Sequence, residues 1–102
     1  MGYRLSPRAQ RDIEDIADHI AEENPAAAKR LIERMRRQWE LLATQPRSGS
    51  LREDIGNKIR RIVVGQYLCF YIIVEENVEI LRVLHGRRDI TSENIGGGES
   101  EG

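Results

Sequence analysis

Apolar residues recur at spacings of three and four through two stretches of the chain, and at spacings of two through its second half, which predicts two helices followed by strands. In the first stretch Ala9, Ile13, Ile16, Ala17 and Ile20 fall on one helical face, with Asp12, Glu14, Asp15 and Asp18 turned to water or to a partner. Ser6-Pro7 gives the start signal, since Ser accepts from the first free N–H groups and Pro presets the helical φ. Asn24-Pro25 repeats that signal. The second helix carries Ala28, Leu31, Ile32, Met35, Trp39 and Leu42 as a stripe, has Lys29, Arg30, Arg34, Arg36 and Arg37 largely off it, and ends at Pro46. So short a connection makes the two helices an antiparallel hairpin, whose stripes need a third element to cover them.

Tyr3-Arg4-Leu5 has extended character, and Pro, Gly and Ser mark residues 46–57 as a loop. Residues 58–64, 67–75 and 78–85 are rich in Ile, Val, Tyr and Phe, and the pairs Gly65-Gln66 and Glu76-Asn77 between them have hairpin-turn length. The expected class is therefore α+β in the order β-α-α-β-β-β: a short N-terminal strand and a two-helix hairpin packed on one face of a small, mostly antiparallel sheet. One domain over 1–95 is expected, with a Gly-rich acidic tail at 96–102 that has nothing to bury and is read as disordered.

Counting outward from the two turns pairs Val64 with Tyr67 and Glu75 with Val78, which sets Tyr71 opposite Arg60 on one side and Arg82 on the other. One face then shows Ile59, Val63, Leu68, Phe70, Ile72, Leu81 and Val83, the set expected beneath the helices. The other mixes Lys58, Arg60, Ile62, Cys69, Tyr71, Ile73, Ile80, Arg82 and Leu84. Two helices cover only one face, so this second face calls for a cover from the tail, a second copy or another chain.

Composition narrows the class. A chain of 102 residues holds one core, and its longest apolar run, residues 67–74, is far short of the roughly 20 needed to span a bilayer. A single cysteine and an N-terminus without an apolar stretch predict a cytoplasmic protein. The net charge of -1 conceals an uneven distribution, because residues 29–61 hold ten basic against four acidic groups. Such a segment reads equally well as a solvated helix face or as a binding surface.

No metal or cofactor site is expected: His19 and His85 lie on separate elements, Cys69 sits mid-strand, and no Gly-rich phosphate loop follows a strand. The densest chemistry is Arg82-Val83-Leu84-His85-Gly86-Arg87-Arg88-Asp89. Arg82, His85 and Arg88, gathered with Arg60 and Tyr71, would suit phosphates, acid-base work on RNA, or the acidic side chains of a protein.

The order of Leu5-Ser6-Pro7, Asn24-Pro25, Leu42-Ala43 with Pro46 and Gly49, Gly65-Gln66-Tyr67, Phe70-Tyr71 and the terminal cluster from Arg82 to Asp89 resembles the RelE/ParE toxin superfamily over about residues 3–90. The resemblance implies the toxin of a type II toxin-antitoxin module, held by a co-expressed antitoxin. RelE-like members cleave mRNA on the ribosome; ParE-like members poison DNA gyrase without nuclease chemistry. Leu68 stands where RelE-like members carry an Arg, and residues 89–95 lack their catalytic Tyr or His. The ParE-like reading follows, with no catalytic residues. Lys58, Arg60, Tyr71, Ile73, Ile80, Arg82, His85, Arg87 and Arg88 are the expected target or antitoxin contacts. The alternatives are a ribosome-dependent nuclease using Arg60, Arg82, His85 and Arg88, and an inactive binding module. The implied partners are a ParD-like antitoxin, in the ribbon-helix-helix class, within a hetero-oligomer, and gyrase as target. DNA contact would be indirect, through the antitoxin, and no membrane is involved.

Overall fold

A computed structural model describes residues 2–86, so the tail assigned to 96–102, and Arg87 and Arg88, lie outside the described residues. Strand β1 (Tyr3–Leu5) leads into helices α1 (Pro7–Ala21) and α2 (Pro25–Thr44). A single 3-10 turn at Pro46–Ser48 and the short β2 (Ser50–Leu51) come next, followed by β3 (Arg60–Val64), β4 (Tyr67–Val74) and β5 (Asn77–His85). The sheet runs β1-β5-β4-β3-β2, with β1 parallel to β5 and every other pair antiparallel.

Both helix starts form as their sequences dictate. The Ser6 hydroxyl accepts from the Ala9 N–H at 3.1 Å, and the Asn24 side chain accepts from the Ala27 N–H at 3.0 Å. Ser6 does more than cap: its hydroxyl also donates to the Leu81 carbonyl at 2.9 Å, tying the first turn of α1 to β5. Ala9 and Ile13 of α1, with Met35, Trp39 and Leu42 of α2, pack on the sheet. Tyr3 stacks at a tilt on Trp39, ring centroids 5.7 Å apart.

The β3–β4 register is the counted one, with Val64 opposite Tyr67 and Arg60 opposite Tyr71. The β4–β5 turn lies one residue earlier than expected. Val74 pairs with Asn77, and Glu75 and Glu76 form the turn with φ of 53° and 66°. Positive φ at two successive residues gives the twist a hairpin favours, and Asn77, which looked like a turn residue, begins the strand instead. Beyond it the register slips again: Tyr71 faces Ile80 but Phe70 faces Arg82, leaving Leu81 as the extra residue of a bulge.

These shifts regroup the faces only slightly, exchanging Val83 and Leu84, but the helices lie on the opposite side from the one expected. Ile62, Val64, Cys69, Tyr71, Ile73, Val78, Ile80 and Val83 pack beneath the helices. Leu68, Phe70, Ile72, Leu81 and Leu84 form the far face, where Ile55 and Ile59 cover them. The cover is thus the 52–59 loop, closed by Arg52 N–H to Ile59 carbonyl at 2.7 Å and by a bidentate Arg52–Asp54 pair at 2.9 and 2.7 Å.

Glutamates at positive φ strain the β4–β5 turn, and glycine removes that strain. Glu76→Gly forfeits only an exposed pair with Arg47. It is expected to raise the thermal unfolding midpoint by about 4 °C, read by circular dichroism; a lower midpoint would contradict the turn assignment.

Candidate functional site

Chemistry-bearing residues gather on the two sides of β4 and along α2. Beside the start of β2, the Tyr71 hydroxyl donates to the Pro46 carbonyl at 2.6 Å and accepts from the Gly49 N–H at 3.0 Å. Arg60, its register partner, donates through Nη1 to the carbonyls of Gly49 at 2.8 Å and Arg47 at 3.1 Å. Burial raises the Tyr71 phenol pKa, with the Gly49 N–H and the nearby Arg60 charge opposing it. Together they fasten the chain leaving α2 to the sheet. Burial likewise pushes the Cys69 thiol up to about 11, against a smaller opposing influence from the Trp39 indole, so Cys69 stays a protonated core residue near neutral pH.

Across β4 from Arg60, β1 has stopped and the edge of β5 is completed by side chains from α1. Asp12 takes a bidentate pair from Arg82, Nε at 2.7 Å and Nη2 at 3.0 Å, and also accepts the Val83 N–H at 3.0 Å. Arg82 is only 8% exposed. One turn further along α1, Asp15, Ile16 and His19 share a cleft of about 280 Å³ with Tyr67 and His85. His85 shares a 3.1 Å hydrogen bond with the Gln66 side chain and meets the Tyr67 ring edge-on at 5.4 Å. The two histidines that the sequence placed on separate elements therefore line one cleft. Residues 12, 15, 16 and 19 follow the i, i+3, i+4, i+7 spacing of one helical face, which is the signal that would have joined His19 to Asp12.

The residues singled out from sequence do not form one surface. Tyr71 and Ile80 are fully buried beneath the helices and Ile73 packs against that same core, so the expected open face around them is not present. Arg60 holds loop carbonyls and Arg82 holds Asp12. Arg60 and His85 are also separated by the four-residue step from Tyr71 to Tyr67 along β4, roughly 13 Å at strand rise. Lys58 is exposed in the covering loop, at φ 66°. Among the described residues no group of three or more His, Cys, Asp or Glu is placed to hold a metal ion, and no helix is long and apolar enough to cross a membrane. Sequence reasoning gave less weight to the outer side of α2, where Arg30, Arg34 and Arg37 border a groove of about 440 Å³.

Comparison with known proteins agrees with this architecture. The chain is 29% identical over 90 residues to Toxin ParE1 of Mycobacterium tuberculosis, in both strain CDC 1551 / Oshkosh and strain ATCC 25618 / H37Rv; the alignment covers 86% of this chain and 92% of each relative. A solved structure described as the chromosomal ParDE TA system from P. aeruginosa shares the fold, with a TM-score of 0.71 at 18% identity, covering 83% of this chain and 95% of that one. The family described as the ParE toxin of the type II toxin-antitoxin system, parDE, matches residues 3–90, a span that includes the whole β-α-α-β-β-β-β unit described above, and the chain belongs to that family of toxins.

Proposed function

We propose that this toxin acts in the cytoplasm by binding DNA gyrase, without catalytic residues of its own. A cognate ParD-like antitoxin then neutralises it in a hetero-oligomer and makes the DNA contact through a ribbon-helix-helix unit. The observation that carries the choice between gyrase and ribosome is the state of Arg60 and Arg82. A phosphate clamp needs guanidinium groups aimed at a common point and preorganised there. Arg60 is spent on the carbonyls of Arg47 and Gly49, and Arg82 on Asp12, on the two strands that flank β4. Leu68 adds no third charge. Lys58, in the loop, and His85, at the cleft, are the sequence-selected residues proposed to meet the target; Arg87 and Arg88 lie outside the described residues.

Induced expression without antitoxin, with plasmid topology and mRNA integrity read in parallel, tests the proposal. The expected result is gyrase-dependent DNA breakage and lost supercoiling while mRNA stays intact. Ribosome-dependent mRNA cleavage with intact DNA would overturn it in favour of the nuclease reading.

A further inference from the structure

Helix α2 turns its apolar stripe to the sheet and presents Arg30, Arg34 and Arg37 on its outer side. Spacings of four and three stack these side chains along one line, about 10 Å from first to last. Leu41 continues the line four residues on and is 60% exposed. Ala27 and Leu31 floor the groove between the arginines. Arg34 leans over the β3–β4 turn: a Cβ on Gly65 would stand 3.4 Å from its Nη1. Among the described residues no carboxylate pairs with any of the three guanidinium groups, although Glu33 lies on the groove wall.

We propose that this face seats an acidic amphipathic segment of a partner protein, its carboxylates along the arginine line and an apolar side chain against Ala27, Leu31 or Leu41. Planar guanidinium forks match carboxylates in bidentate geometry, and three of them in a row favour a strip of negative charge over a single anion. A nucleic-acid backbone would satisfy the charges but has no apolar side chains to set against the apolar floor and Leu41, which favours protein. Read with the proposed function the segment belongs to the antitoxin, and that attribution rests on that reading. The seat is then the outer side of α2 and not the sheet face around Tyr71, Ile73 and Ile80.

The test uses the full chain with the antitoxin encoded beside it. Affinity is measured at about 0.05 M and about 0.5 M salt, where screening lengths differ roughly threefold. The proteins compared are the wild type, R30E/R34E/R37E, the neutral R30Q/R34Q/R37Q and Leu41→Ala, each first checked for an unchanged melting curve. The expected result at low salt is a loss of about 100-fold or more for the charge reversal and about 10-fold for the glutamine variant, with a flatter salt dependence in both. Unaltered affinity and salt slope in a folded glutamine variant would overturn the seat while leaving the antitoxin reading intact. If the wild type forms no complex with the antitoxin, that reading fails and the attribution falls with it. A short DNA duplex run as a separate arm overturns the proposal if it alone responds to the arginine changes.

Discussion

Asp12→Ala is expected to destabilise the domain by about 3–5 kcal/mol, because it strips a nearly buried guanidinium of its bidentate carboxylate and the Val83 N–H of its acceptor in one step. Against a total stability of roughly 5–15 kcal/mol for a domain of this size, that is a large fraction. At about 4–8 °C per kcal/mol, the thermal midpoint falls by 12 °C or more. The pair does not contribute that amount relative to an apolar core, since bringing two charges out of water offsets most of their attraction. The double change Asp12→Leu with Arg82→Met is therefore expected to recover most of the loss. Urea unfolding of the two variants decides it, and a cost below about 1 kcal/mol for Asp12→Ala would show that the pair is solvated after all.

The same pair shows where reading the sequence stops. Ser6 and Asn24 act through neighbours three residues away and Pro7 and Pro25 through their own φ, so both helices and their hairpin could be read directly. The Arg60–Tyr71 pairing followed from Gly65-Gln66, a turn with one plausible register. Asp12 and Arg82 are 70 residues apart, and only the packing of α1 on the β5 edge brings them together. Arg82 therefore read as a ligand for an outside anion, and Asp12 as a group facing water or a partner.

Face assignment failed for a related reason. Cys69, Tyr71 and Ile73 alternate with Leu68, Phe70 and Ile72, so both faces of β4 are apolar and period alone cannot say which one the helices take. Tyr71 settles it through its hydroxyl, whose partners at Pro46 and Gly49 lie on the segment leaving α2. The cover of the other face was hidden because Ile55 and Ile59 are two apolar residues in a polar loop, too few to make a pattern. The bulge at Leu81 left no local mark either, and it moved Val83 beneath the helices and Leu84 to the far side.

Gly49→Ala is expected to cost about 2–4 kcal/mol, for a steric reason and not a conformational one. Gly49 has φ -76° and ψ 156°, a backbone that any residue adopts. What excludes a side chain is the approach of Tyr71 and β3: a Cβ would collide with the Tyr71 hydroxyl and stand 2.7 Å from its Cε1 and 2.9 Å from the Arg61 carbonyl oxygen. The phenol ring is fully buried, and moving it breaks its bonds to Pro46 and Gly49 together. Tyr71→Phe alone costs about 1–3 kcal/mol, since it leaves the Gly49 N–H without an acceptor. The double variant separates crowding from bonding. Removing the hydroxyl takes away the closest obstacle and leaves only the ring edge and the Arg61 carbonyl, so Gly49→Ala in the Tyr71→Phe background is expected to cost about 1 kcal/mol less than in the wild type. Additive effects in urea unfolding would mean that the Tyr71 hydroxyl is not what crowds a side chain at position 49.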